Sequence, residues 1–333
     1  MKAVLCKQYG PPASLVVEAV PSPQPGPGEV VVAVHAASVN FPDGLIIENK
    51  YQFKPELPFS PGGEVAGTLS AIGPGVSGWA VGDRVIAVCG WGGFADEVKV
   101  AAGKLIRLPE GIGMDAASAL VITHGTTHYA LQVRGQLQPG ETLLVLGAAG
   151  GTGLSAVELG KLMGARVIAA ASSDEKLALC RAAGADEVIN YATEDLREAL
   201  KRLTGGRGVD VVYDPVGGDY TEAALRSMAW GGRLLVIGFT AGTIPRPPLN
   251  LPLLKGCSLV GVFYGGFTER EPDRADALMQ QLLGWLREGR VRPVISEYLP
   301  IEQAAQALDT VGQRRARGKI VLTTALGRSA GLP

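Results

Sequence analysis

Four glycines, Gly147, Gly150, Gly151 and Gly153, separate the apolar run Thr142 to Gly147 from a segment with Leu154, Val157, Leu159 and Leu162 at helical spacing. Such a turn lets the backbone approach a pyrophosphate closely, and the exposed N–H groups and positive end of the following helix stabilise its charge. Against the fingerprint G-x-G-x-x-G the match is incomplete, because Ala148 stands at the first glycine while Gly150 and Gly153 keep the other two. Context strengthens it: the turn lies in a strand–helix–strand unit of about 30 residues whose second strand is Arg166 to Ala171, the setting the fingerprint requires. The bland alternative is a glycine-rich helix start that serves tight packing alone; a dinucleotide site is the reading adopted.

A site for NAD usually carries an acidic residue about 20 residues after the turn, to bind the ribose hydroxyls. Here the second strand ends in Ala171, followed by Ser172, Ser173 and Lys176. Hydroxyl donors and an ammonium suit a 2′-phosphate, so NADPH is expected over NADH. Ser173 also fits the N-cap of the helix that Asp174, Glu175 and Lys176 begin, and the two roles are compatible.

His124 and His128 are spaced i, i+4, but Gly125 occupies the place of the glutamate in a metalloprotease motif and no third ligand lies nearby. No metal site is expected there. Cys6, Cys89, Cys180 and Cys257 are far apart with no C-x-x-C pair, which suits reduced thiols in a cytoplasmic protein. The chain of 333 residues has a formal net charge of −1, which offers nothing to nucleic acid or an anionic membrane, and no apolar run approaches a membrane span.

The elements that must position these residues form two patterns. From Met1 to about Val100 short β-branched runs broken by Gly and Pro (Leu15–Glu18, Glu29–Ser38, Val65–Ile72, Arg84–Val88, Phe94–Val100) imply a β-rich lobe. A helix is expected over Met114–Val133. After the first two strands of the nucleotide lobe, strands near Glu187–Tyr191, Val209–Asp214, Arg233–Gly238 and Ser258–Phe263 alternate with helices at Glu194–Leu203 and Gly218–Met228. Six strands in that rhythm make a doubly wound parallel sheet, so the fold class is α/β. Beyond Phe263 a helix, a strand at Ile295–Leu299, a helix at Ile301–Val311 and a strand at Lys319–Thr323 are expected to return to the first lobe, leaving an active cleft between the two.

VNFPDG at Val39–Gly44, FSPGGEVAGTLSAIGPGVSGWAVGDRV at Phe59–Val85, GAAGGTG at Gly147–Gly153 and ADEVINY at Ala185–Tyr191 resemble the zinc-free quinone oxidoreductase branch of the medium-chain dehydrogenase/reductase superfamily. The resemblance runs over nearly the whole chain. It implies a GroES-like catalytic domain, residues 1–125 and 265–333, and a Rossmann NADP(H)-binding domain, residues 126–264. Zinc enzymes of that superfamily carry a cysteine where Asn40 stands and G-H-E where this chain reads Gly62, Gly63, Glu64, and they have a cysteine-rich loop that is missing here.

The resemblance also implies roles for single residues. Asn40 and Asp43 would line the cleft near the nicotinamide, although both types also form simple Asx turns. Thr126 or Thr127 would lie beside the cofactor. Gly150, Gly151 and Gly153, with Thr152 among them, would meet the pyrophosphate, and Ser172, Lys176 and Tyr191 would surround the adenosine phosphate, with Ser173 adjacent. Phe239 and Phe263 would border the nicotinamide ribose, or else be ordinary core. Tyr51 occupies a place similar to the proton-donating tyrosine of enoyl reductases, or it is a loop aromatic packed at the cleft mouth. The expected activity is hydride transfer from NADPH to a small quinone without zinc. Reduction of an enone, alkenal or enoyl thioester is the alternative, and non-catalytic NADPH binding a second. A homodimer is expected, paired through the apolar sixth strand.

Overall fold

The computed structural model describes residues 1–333 and divides the chain into two compact units, Met1–Ile122 with Arg292–Pro333, and Thr123–Val291. In chain order the first unit contributes β1 (Lys2–Leu5), β2 (Val16–Ala19), β3 (Glu29–Ser38), α1 (Phe41–Ile47), β4 (Glu64–Ile72), β5 (Arg84–Val88), β6 (Glu97–Ala101), β7 (Leu105–Arg107) and α2 (Met114–Ser118). The second holds α3 (Thr126–His128), β8 (Thr142–Leu146), α4 (Gly151–Leu162), β9 (Arg166–Ala171), α5 (Asp174–Ala182), β10 (Glu187–Asn190), α6 (Leu196–Leu203), β11 (Val209–Asp214), α7 (Asp219–Arg226), β12 (Met228–Val236), α8 (Asn250–Lys255), β13 (Ser258–Gly261), α9 (Tyr264–Arg270) and α10 (Pro272–Arg287). The chain then returns to the first unit with β14 (Ile295–Pro300), α11 (Ala304–Gly312), β15 (Lys319–Thr323) and α12 (Ala325–Ser329).

The first unit is built on β3, whose apolar run EVVVAVHAAS is almost wholly buried. One edge of β3 pairs antiparallel with β4, and the other pairs with β6 along its first half and β15 along its second. The resulting seven-stranded sheet runs β14-β15-β3-β4-β5-β7, with only β14 and β15 parallel. Val30, Val32, Val34, Val65, Leu69, Phe94, Ile320 and Leu322 are among its core residues. Because β4 and β15 flank the end of β3, residues at Ser38–Asn40, Glu64 and Lys319 converge.

The second unit is a six-stranded parallel sheet in the order β10-β9-β8-β11-β12-β13, the doubly wound arrangement the strand count implies. All five residues of β8 are buried, as a central parallel strand covered by helices on both faces must be. Strand β13 forms an edge, and its own side chains are mostly exposed.

Some expectations need correction. Residues 265–291 lie in the second unit, not the first. Tyr129, Phe267 and Ala275 share one apolar cluster there, with the Tyr129 and Phe267 rings stacked 4.1 Å apart and Trp285 5.0 Å from His128. The single helix expected at Met114–Val133 is broken: after α2, π-helical turns at Val121–Gly125 and Tyr129–Arg134 flank α3. Helix propensity does not explain the break, since α3 reads Thr-Thr-His while the second π-helical turn holds Ala130, Leu131 and Gln132. Helix α6 starts at Leu196 because the Asp195 carboxylate accepts the N–H groups of Arg197 and Glu198 as its cap. Helix α1, with Pro42 in its first turn, was not expected.

Candidate functional site

In the second unit the turn after β8 begins with Gly147 at φ +58°, a conformation that favours glycine, and α4 starts at Gly151. Helix α4 runs twelve residues, and the first N–H groups of any such helix lack intrahelical partners. The glycines differ in what they admit. A Cβ on Gly153 would lie 2.4 Å from the Gly147 carbonyl oxygen, whereas one on Gly150 would sit 3.4 Å from that oxygen, so Gly153 packs the helix onto the turn and Gly150 leaves a gap above it. The cradle fits a pyrophosphate.

At the end of β9 the Ser173 hydroxyl accepts the Lys176 N–H at 3.4 Å and caps α5. Lys176 Nζ donates to the Ser172 hydroxyl at 3.3 Å in an exposed position, which sets an ammonium and a hydroxyl side by side, a pairing suited to a phosphate. The Tyr191 N–H donates to the Ala171 carbonyl at 3.1 Å, and its ring lies 4.4 Å from that of Tyr220. The structure therefore brings Ala171, Ser172, Lys176 and Tyr191 together.

Thr126 is half-buried, but Thr127 is not placed to meet a ligand with its hydroxyl. That side chain is fully buried and hydrogen-bonded to Ser155 at 2.7 Å and Tyr213 at 2.9 Å. Ser155 in turn donates to the Thr152 carbonyl at 2.8 Å, so this hydroxyl cluster fastens α3 to the first turn of α4. Phe239 packs on Gly217, whose Cβ would lie 3.0 Å from the Phe239 ring, while Phe263 is 51% exposed and not core. The loop carrying Gly217 is shaped by Asp214: one carboxylate oxygen accepts the N–H groups of Val216 and Gly217, the other the Thr221 hydroxyl at 2.6 Å. Ser155, Tyr213 and Asp214 escaped the sequence reading, although a polar group ending a buried strand is a signal for Asp214. The two histidines look to different partners, His124 to Glu158 at 3.1 Å and His128 to Gln132 at 2.5 Å.

In the first unit the polar residues form a closed buried cluster. Glu64 is fully buried; its Oε1 accepts from the Ser38 hydroxyl at 2.5 Å and Asn40 Nδ2 at 3.0 Å, and its Oε2 from the Ile122 N–H at 2.9 Å. Lys319 Nζ donates to Asn40 Oδ1 at 2.6 Å, Val39 O at 3.1 Å and Glu64 Oε1 at 3.4 Å. Asp43 Oδ2 accepts the Asn40 N–H at 2.8 Å across the first turn of α1. Burial pushes the Asp43 carboxyl up to about 7, against the opposing pull of the Asn40 N–H and the Lys319 ammonium. Burial likewise draws the Lys319 ammonium below its ordinary range, opposed by the charges of Glu64 and Asp43.

Asn40 and Asp43 lie together, only 6% and 1% exposed and held by internal hydrogen bonds. Glu64 and Lys319 were not singled out, although a lysine heading the apolar run Ile320–Leu322 was the legible sign. Tyr51 is half-buried against the same core, its ring 5.7 Å from Phe53. Burial raises its hydroxyl above the usual range, and the charge of Asp43 adds to the effect.

The donor set does not fit a zinc ion. Asn40 offers a neutral amide already bonded to an ammonium, Gly63 has no side chain, and Lys319 would repel a cation beside Glu64. No group of three or more His, Cys, Asp or Glu side chains is placed to hold a metal. No helix is long and apolar enough to cross a membrane.

Residues 151–281 match the family profile described as zinc-binding dehydrogenase, and residues 26–110 that described as alcohol dehydrogenase GroES-like domain. The chain is 40% identical to quinone oxidoreductase-like protein 2 of Bos taurus, over 97% of its own length and 92% of the relative's. It is 35% identical to a quinone oxidoreductase of Pseudomonas aeruginosa, over 96% and 99%. Among solved structures, Escherichia coli quinone oxidoreductase complexed with NADPH superposes with a TM-score of 0.90 at 29% identity, covering 97% of this chain and 100% of that one. The CurK enoyl reductase superposes with a TM-score of 0.86 at 25% identity, covering 97% and 99%.

Proposed function

The chain belongs to the quinone oxidoreductase branch of the medium-chain dehydrogenase/reductase superfamily, and from that premise we propose that it transfers hydride from NADPH to a quinone or similar conjugated electrophile without zinc. The observation that carries the reading is the second unit's binding surface: a glycine cradle at the start of α4, with Ser172 and Lys176 in place of a carboxylate after β9. The E. coli relative bound to NADPH supports the same cofactor.

When bound, the nicotinamide supplies the hydride. The chain's residues bind and orient. The first-turn N–H groups of α4, flanked by Gly150, Gly151, Thr152 and Gly153, hold the pyrophosphate, and Lys176 with Ser172, Ser173 and Tyr191 holds the 2′-phosphate. Thr126, Phe239 and Phe263 are the residues that would meet the nicotinamide end, and Asn40, Asp43 and Tyr51 are those we assign to the acceptor. A quinone needs no Lewis acid, because its conjugated ring spreads the incoming charge.

A second reading, reduction of an activated carbon–carbon double bond, is favoured by Tyr51, a half-buried phenol able to donate a proton, and by the likeness to an enoyl reductase. NADPH oxidation measured with 1,4-benzoquinone, 9,10-phenanthrenequinone, crotonyl-CoA and 2-hexenal separates the two. Turnover of none of these while NADPH still binds would point to a binding protein. We also place the enzyme in the cytoplasm as a homodimer joined along β13, which the open edge of that strand and the exposed Leu259 on it support.

A further inference from the structure

Resting on the assignment of Asn40 to the acceptor, we propose that Lys319 is a positioning residue that fixes the orientation of the Asn40 amide. An asparagine amide has two faces of opposite character, and each is claimed here by a charged partner. Oδ1 accepts from the Lys319 ammonium at 2.6 Å, and Nδ2 donates to Glu64 Oε1 at 3.0 Å, with the Ser38 carbonyl at 3.3 Å behind it. Turning the amide over would set its NH2 against an ammonium and its carbonyl against a carboxylate, so the ion pair admits one orientation. Lys319 is itself held: its three N–H bonds point at Val39 O, Asn40 Oδ1 and Glu64 Oε1, and its side chain is 4% exposed.

The topology makes this arrangement specific. Lys319 opens β15, which pairs with the last residues of β3, while Glu64 opens β4 on the other edge of that strand. The ammonium and carboxylate therefore approach Asn40 from strands on opposite sides. Asn40 also gives its backbone N–H to Asp43 Oδ2, so a displaced Asn40 would disturb the Asp43 carboxylate as well.

The test combines a direct readout of the amide with kinetics. Hydrogen exchange of the Asn40 side-chain amide is followed by NMR in the full-length protein, assigned by the signals missing in Asn40→Ala. Lys319→Met is expected to speed that exchange roughly ten-fold or more, the scale of a lost hydrogen bond to a charged group, and Lys319→Arg to restore protection. In NADPH-dependent quinone reduction, Lys319→Met is expected to lower kcat with little change in KM for NADPH, and adding it to Asn40→Ala to cause no further loss. Should Lys319→Met fail to fold because Glu64 is left unpaired, the neutral double variant Lys319→Met/Glu64→Gln is compared with Glu64→Gln. Unchanged exchange in a folded Lys319 variant, or additive losses, would overturn the proposal. Faster exchange combined with full activity of Asn40→Ala would support the hold of Lys319 on Asn40 and sink instead the placement of Asn40 at the acceptor.

Discussion

Gly153 faces the carbonyl of Gly147 so closely that a single methyl group would come within 2.4 Å of that oxygen. The contact joins the end of β8 to the second residue past the start of α4, and it explains why glycine is needed there for packing. Gly153→Ala is expected to destabilise the cofactor-free protein by about 1–3 kcal/mol, the usual scale of an overpacked site. Gly150→Ala meets only ordinary contact in the protein and is expected to leave that stability within about 0.5 kcal/mol while weakening NADPH binding. Denaturant melts with cofactor titrations check both; equal melts for the two variants would refute the division of roles.

We propose that Lys176, whose ammonium meets the Ser172 hydroxyl, sets cofactor choice. Removing a charged hydrogen bond to the 2′-phosphate is worth about 1.5–3 kcal/mol, so Lys176→Ala should weaken NADPH binding by roughly ten- to a hundredfold and leave NADH unchanged. Fluorescence titration with both cofactors measures it. A preference for NADPH that survives the substitution would remove Lys176 from the site.

The Asp43 carboxyl, pushed up to about 7 by burial, makes stability depend on pH. A carboxyl that keeps its proton to higher pH when folded than when unfolded binds more protons in the folded state between about 4 and 7, so its contribution to stability falls as pH rises through that window. Asp43→Asn stays neutral. Its stability relative to wild type is expected to improve between pH 5 and pH 8 by on the order of 2–3 kcal/mol, read from urea unfolding at each pH. A parallel pair of pH profiles would count against a raised Asp43.

Tyr51 divides the two chemistries. Quinone reduction should survive both Tyr51→Phe and treatment with a chelator, because neither a phenolic proton nor a metal is asked of it. Dominant turnover of crotonyl-CoA or 2-hexenal that collapses in Tyr51→Phe would install double-bond reduction in its place.

Strand β13 ends the parallel sheet with an open edge, and Leu253 and Leu254 on α8, the helix that leads into it, are 78% and 68% exposed. Light scattering is expected to give a dimer at micromolar concentration, and Leu253→Asp with Leu254→Asp a monomer. A wild-type monomer would refute the assembly.

The nucleotide-binding half was legible in the residue order because its signals are local. A buried strand, a glycine turn, a helix and a strand ending in Ala171-Ser172 follow one another within one unit, and parallel strands buried on both faces declare themselves as unbroken apolar runs. Periodicity also located most strands of the first lobe. The partners of Asn40 were not legible, because Glu64 and Lys319 reach it from strands 24 and 279 residues away in sequence, and only the pairing of β4 and β15 with β3 brings them together. The same holds for Thr127, whose hydroxyl turns inward to Ser155 and Tyr213, and for residues 265–291, which join the second unit because Phe267 stacks on Tyr129. Composition and spacing specify which elements form and which glycine turn opens α4. Which buried charges meet, and so which polar side chains are locked and which are free, is decided by strand pairing, because a charge buried away from water must find its partner wherever the fold delivers one.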